Sequence, residues 1–425
     1  MPAPLAIDDY RATLAALGVP RRYAVAVSGG RDSMALMRLA AEDAKTGADV
    51  LALTVDHGLR AGARAEAEQA AQWCAAAGLP HRLLVWEGDK PATGKQDAAR
   101  RARYRLLASE AEREGFPAIL AAHTADDQAE TVFMRLARGA GPQGLSGMAP
   151  VSRIAAGAGA PLMLVRPLLG ATREATRATC EAFAQSFIDD PSNDDPAYER
   201  VRARALLAAL EEQKLLTRDA LLKTAARARA ASAVIADAQE RAFAGAAGCF
   251  HAGGWASLAA RRVDAASAGM IARLIGAVSG GEHAPGEDEA RAALAAAEET
   301  GAATLGGALL KRRGETLFVL REPAALLGRA GVAPMAPLNV APGARALWDE
   351  RFIAENRART AASLAPLGPD GLAALGPATN VGRGLFDAPD EALVAAPDAF
   401  FREKSPLALK PLAEERFFAP ILRFS

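Results

Sequence analysis

The chain has 425 residues, 51% of them hydrophobic and 24% charged, and its 50 Lys and Arg balance 50 Asp and Glu. That length exceeds one ordinary core and that composition excludes a disordered or fibrous chain, so two or three globular domains are expected. Balanced charge excludes a protein that is basic all over, but not a local basic stripe suited to nucleic acid.

At the start, MPAPLAIDDYRATLAALGVPRR puts Asp8, Asp9 and Arg11 where a secretory signal needs its apolar core. No stretch approaches the roughly 18 apolar residues of a membrane span, so a cytoplasmic, membrane-free protein is expected. Cys74, Cys180 and Cys249 lie far apart without a C-x-x-C pair, which favours isolated reduced thiols over a zinc, iron–sulfur or redox site. Buried strands are predicted at 23–27, 50–56, 81–86 and 118–123. Between them lie stretches with apolar residues at helical spacing, one of them closing on Gly78 as its C′ residue. This alternation predicts an α/β fold around a parallel sheet covered on both faces. Ligands of such sheets lie beyond the carboxyl ends of the strands. Ser28-Gly29-Gly30, Asp56-His57-Gly58 and His123-Thr124 should therefore converge.

The Gly/Pro-rich tract from Arg138 to Met163 reads as loop. Order restarts in VRPLLGATREATRATCEAF, with Thr172 and Glu174 near a helix start. An acidic turn, IDDPSNDDP, then feeds a helix carrying Arg200, Arg202 and Arg204. From about Leu215 an Ala/Arg-rich helix with Arg227 and Arg229 reads as an arm, and 300–321 reads as a β-hairpin around a basic Arg-Gly turn. Repeated Ala-Pro and Gly-Pro pairs beyond it predict a small loop-rich unit. The expected division is 1–213, 214–330 and 331–425.

In the turn from Ser28 to Ser33, the glycines Gly29 and Gly30 permit unusual backbone angles and let N–H groups approach an anion. The positive end of the following helix reinforces that preference. Ser28 and Ser33 add hydroxyls, and Arg31 completes the expected phosphate-binding run. Asp32 among phosphate ligands implies a magnesium ion between carboxylate and phosphate. The Gly-Lys-Ser/Thr ending of a Walker loop is absent, and two glycines do not make a dinucleotide fingerprint.

S-G-G-x-D-S after the first strand resembles the loop of the N-type ATP pyrophosphatases, which cleave ATP between the α- and β-phosphates. AAHTADDQAETVFMRLARGAGPQGLSGM (121–148) resembles a block of the tRNA(Ile)-lysidine synthetases and the related tRNA cytidine thiolases. VDHGLR, DAARRARYRLL and DDPSNDDPAYERVRAR extend the likeness in order across residues 20–210, and the TLGG hairpin alone extends it further. The resemblance implies a PP-loop ATP pyrophosphatase domain followed by a helical arm and a smaller C-terminal α+β part. It implies ATP and Mg²⁺, free L-lysine, and tRNA(Ile) with a CAU anticodon. In that reaction ATP adenylates the oxygen at carbon 2 of the wobble cytidine (position 34), and lysine then displaces AMP. The product, lysidine, changes codon reading from AUG to AUA.

Clustered cysteines, which the thiolases need, are missing. A small-molecule ATP pyrophosphatase and a nucleotide-binding regulator without chemistry stay as alternatives. The sequence leaves the oligomeric state open, a homodimer included.

The resemblance places His123 against the ATP phosphates, where it would stabilise charge as the adenylate forms. Asp32 and Asp127 form the expected magnesium pair, and Glu130 would hold the lysine ammonium or the metal. Asp126 is read as a cap and dipole partner of its helix. Arg103 is placed near the α-phosphate or the lysine carboxylate. Arg200, Arg202, Arg204, Arg227, Arg229 and the turn residues Lys311, Arg312 and Arg313 are candidates for tRNA phosphates.

Overall fold

The structure, a computed structural model, describes residues 3–418 and 422–424 apart from 59–61, 89, 91–93, 190–198, 282, 330–332, 376–394 and 398–404. The chain divides into two compact units, essentially 1–234 and 235–423. In the first unit the order is α1 (Ile7–Ala16), β1 (Arg22–Ala26), α2 (Arg31–Ala44), β2 (Asp49–Asp56), α3 (Ala63–Ala76) and β3 (His81–Val85). There follow α4 (Lys95–Arg113), β4 (Ala118–Leu120), α5 (Ala125–Ala137), α6 (Pro142–Leu145), β5 (Val151–Ala156) and β6 (Leu162–Val165). Helices α7 (Arg173–Ala182), α8 (Glu199–Glu212) and α9 (Arg218–Gly245) complete it, α9 running on through the unit boundary.

These strands lie in the order β5-β6-β4-β1-β2-β3. All adjacent pairs are parallel except β5 with β6. Period-two alternation covers both faces of the sheet. Tyr23, Val25, Val50, Ala52 and Leu120 join the core under α1, α2 and α3, while Ala24, Leu51, Leu53 and Ile119 join the core under α4. The strand order reverses between β1 and β4, which opens the crevice where such sheets bind ligands. The four predicted strands and the parallel α/β fold are present. Gly78 follows the α3 cap at φ +78°, as its C′ place requires.

The tract read as loop holds two strands instead. β5 and β6 pair antiparallel across Gly157–Gly159, and β6 docks in parallel on β4. The four residues of β6 have no stability alone and are ordered by the sheet they extend, which composition does not register. The acidic turn ahead of α8 lies outside the described residues for 190–198.

In the second unit, β7 (Cys249–Phe250), β8 (Ala256–Ala259), β9 (Ala302–Leu305), β10 (Ala308–Arg313) and β11 (Thr316–Arg321) form an antiparallel sheet ordered β7-β8-β11-β10-β9. The expected hairpin is β10–β11, turning at Gly314-Glu315. A second tight turn at Gly306-Gly307, both at positive φ, adds β9. Helices α10 (Ala268–Ser279) and α11 (Glu287–Thr300) contribute to the core of this sheet. The described residues from 333 to 423 belong to the same compact unit. Ala413 and Phe417 share the core of Met270 and Leu310, and Asp349 takes Arg321 at 2.9 Å. Among the described residues no helix is long and apolar enough to cross a membrane.

The expected boundary at 213–214 would remove α9 from the first unit. Leu221 and Ala225 on α9 are buried against Ala129 and Val132 of α5. Losing the burial of one leucine costs about 2–5 kcal/mol. A fragment 1–214 should therefore melt roughly 5 °C or more below a fragment 1–234. Equal melting temperatures by circular dichroism would show that α9 adds nothing to the first unit.

Candidate active site

The loop after β1 is shaped by its own hydrogen bonds. Ser33 Oγ donates to the Gly30 carbonyl at 2.8 Å and lies 3.1 Å from both the Ser28 amide and Ser28 Oγ. Gly29 sits at φ +85°, where a side chain would strain the backbone and run into Ile188. The turn thus delivers backbone N–H groups to the start of α2, as an anion site requires. Asp32, 22% exposed, takes the Arg31 guanidinium at 3.0 Å and the Thr176 hydroxyl at 2.5 Å.

Across the crevice, Thr124 caps α5 and Asp127 completes a capping box with it. Asp127 Oδ2 accepts from the Thr124 amide at 2.8 Å and the Thr124 hydroxyl at 2.9 Å. The cap role expected of Asp126 therefore falls to Asp127, because Thr124 as N-cap makes Asp127 the third helical residue. Asp126 binds other helices: it accepts from the Arg173 amide at 2.8 Å and from Arg218 at 2.6 Å. The second oxygen of Asp127 takes Arg173 at 2.8 Å. Burial alone would raise the Asp127 carboxyl, but the guanidiniums of Arg173 and Arg200 outweigh it and hold it below its ordinary value.

Glu130 is 3% exposed and meets three guanidiniums: Arg173 at 2.7 Å, Arg200 at 2.8 Å and Arg204 at 2.9 Å. In the structure it is a charge hub. Arg200 and Arg204 are four apart on α8 and share the face turned to Glu130, while Arg202 lies on the exposed side. Arg229 is also committed inside the unit, donating to the carbonyls of Ser146 and Met148. Arg200, Arg204 and Arg229 thus fasten α8 and α9 within the first unit. Arg227, Arg312 and Arg313 are exposed and Lys311 is partly so.

A second set of buried groups has no such partners. His57 Nδ1, Arg103 Nε, His123 Nδ1 and Arg166 Nε are buried with no hydrogen-bond partner among the described residues. They share one field: Arg103 acts on His57, and Arg166, Arg100 and Arg103 act on His123. Burial, and then the neighbouring guanidiniums, push His57 down to about 4 and His123 down to about 3. Both imidazoles are neutral at pH 7. Buried polar atoms without partners are costly. A polyanion with many acceptor oxygens satisfies them, so the donor set fits the phosphates of ATP.

Among the described residues no group of three or more His, Cys, Asp or Glu converges as a self-sufficient metal cage. Magnesium on a nucleotide needs only one or two carboxylates beside the phosphates. Asp32 and Asp127 provide two, each now neutralised by an arginine, so the residues fit that ion. Of the expected residues, the structure links Asp32 and Asp127 through Thr176 and Arg173 of α7, and sets His123 in the field of Asp127 and Arg103. Sequence reasoning missed Arg173, Thr176 and Arg166, and gave the His57 side chain no role. Arg173 stands at the first position of α7, where a cation opposes the helix dipole unless acids face it. That mismatch was a readable signal.

The family described as PP-loop domain matches residues 9–210. The chain is 36% identical over 422 residues to a tRNA(Ile)-lysidine synthase of Ruegeria pomeroyi, covering 95% of this chain and 94% of the relative. It is 42% identical over 311 residues to one of Methylobacterium nodulans, covering 70% of this chain and 90% of the relative. A Bradyrhizobium tRNA(Ile)-lysidine synthase is 50% identical over 222 residues, 51% of this chain and 61% of that relative.

Glu130→Gln removes the charge of the hub while keeping its shape. Arg200 and Arg204 are about two-fifths exposed, so water recovers part of the loss. The first unit should lose about 2 kcal/mol in urea unfolding. An unchanged midpoint would mean that the hub contributes nothing net.

Proposed function

This chain belongs to the tRNA(Ile)-lysidine synthase family, and from that membership we propose that it joins free L-lysine to the wobble cytidine of tRNA(Ile) bearing a CAU anticodon. It is an ATP-using PP-loop ligase that modifies tRNA. Two observations support the mechanism: a phosphate loop without a Walker lysine after β1, and buried, unpartnered nitrogens on His57, Arg103, His123 and Arg166, of which His57 and His123 follow the neighbouring strands β2 and β4.

The ATP phosphates lie on the N–H groups of Gly29 and Gly30 at the start of α2. The oxygen at carbon 2 of cytidine bonds to the α-phosphorus as the bond to the β-phosphate oxygen breaks, and pyrophosphate leaves. Neutral His123 and Arg103 donate to the charge that develops there. A magnesium ion held by Asp32, Asp127 and the phosphates would neutralise the departing pyrophosphate. The ε-amine of lysine then bonds to carbon 2, loses a proton, and expels AMP with its oxygen. Cys74 and Cys180 have no place in this chemistry: burial pushes their thiols up to about 12 and about 11, which leaves them unreactive.

Transfer RNA binding falls to the exposed arginines Arg202 and Arg227 of the first unit and to Lys311, Arg312 and Arg313 of the second. We place the protein in the cytoplasm, where its substrates are, and leave a homodimer as a matter for sedimentation.

Incubated with tRNA(Ile), lysine and ATP labelled at the α-phosphate, the protein should release AMP and pyrophosphate in step with lysine incorporation. ADP and phosphate as products would overturn this reading. Changing Lys311, Arg312 and Arg313 together to Ala should weaken tRNA binding and lower the slope of log K against log salt by about one unit for each phosphate no longer neutralised. An unaltered slope in a filter-binding titration would remove the hairpin from the interface.

A further inference from the structure

Two separate βα units bring acids to the crevice, Asp32 at the start of α2 and Asp127 at the start of α5. Each lies on its own loop-to-helix junction, so an element that touches both can fix their separation. Helix α7 touches both. Its first residue, Arg173, offers its amide to Asp126 at 2.8 Å and its guanidinium to Glu130 at 2.7 Å and Asp127 at 2.8 Å. One turn on, the Thr176 hydroxyl lies 2.5 Å from Asp32 Oδ1 and 2.9 Å from the Arg173 carbonyl. A hydroxyl has one proton, and the nearer, charged acceptor takes it. Residues three apart share a helix face, so a single face of α7 grips both acids.

The grip is rigid. Thr176 is fully buried, Thr172 caps the helix by accepting from the Ala175 amide, and Cys180 of α7 lies in the core that α2 fills. Further along, Cys180 Sγ lies 3.5 Å from the Arg31 carbonyl, at the base of the phosphate loop. The start of α5 is joined to the same segment, since the Ala125 amide donates to the Ala171 carbonyl at 2.8 Å.

We propose that Arg173 and Thr176 are positioning residues for the adenylation step, spacing Asp32 from Asp127 through one face of α7. The inference rests on the ligase reading above. Neither residue touches the reacting atoms; each acts through a carboxylate. Because reaction geometry is steep in distance, a small shift of either acid slows chemistry far more than it weakens tRNA binding.

The test uses the full chain and follows single-turnover pyrophosphate release, tRNA affinity and melting temperature in parallel. Thr176→Val keeps the shape and loses the hydroxyl, and should slow pyrophosphate release about tenfold or more at saturating ATP, with tRNA affinity and melting temperature held. Thr176→Ser restores the donor and should return the rate to within about twofold of wild type. Arg173→Lys cannot bridge two carboxylates with one ammonium and should also slow the step without weakening tRNA binding. A wild-type rate for Thr176→Val, failure of Thr176→Ser to recover, or a slower rate that tracks a fall in melting temperature would each overturn the proposal. Absence of pyrophosphate release from the wild-type protein with tRNA and lysine would instead refute the ligase reading itself.

Discussion

The Arg173 guanidinium, shared between Asp127 and Glu130, is the interaction on which the rest of the site depends. Asp126, Asp127 and Glu130, all in the first two turns of α5, would otherwise repel one another. A buried charge such as that of Glu130 is costly without a cation beside it. Arginine serves here where lysine would not, because its planar fork reaches two carboxylates from one side chain. Charge compensation thus drives the assembly of α5, α7 and α8.

The same crevice keeps a second population of cations unsatisfied. Arg103 and Arg166 bury nitrogens without acceptors among the described residues, and His57 and His123 stay neutral beside them. A site that stores uncompensated donors is less stable than one that satisfies them, and a triphosphate supplies the missing acceptors. The loop glycines and the positive start of α2 point to the same ligand by independent physics.

Overall charge balance hides this local separation. The chain carries equal numbers of acids and bases, yet much of the arginine in α8 and α9 is consumed in holding those helices to α5. Arg227 and Arg312 are exposed, the first on α9 and the second beside the β10–β11 turn. The arm is thus first a brace for the catalytic domain and only then a route to the second unit.

Local signals in the sequence determined much of the molecule. Continuous apolar runs marked β1 to β4, the two glycines and Asp32 marked the phosphate loop, and Thr172 marked the start of α7, because each depends on interactions within a few residues. The likeness across residues 20–210 identified the chemistry from ordered blocks. Tertiary structure alone decided the rest. β6 exists because β4 offers it an edge. Asp127 is a cap because Thr124 is, and Glu130 became a hub because α7 and α8 bring three arginines to it. Which of Arg200, Arg202 and Arg204 faces inward follows from helix phase and from what lies opposite. Partners distant in sequence assign the roles of charged side chains, since a charge is defined by its surroundings and not by its neighbours in the chain.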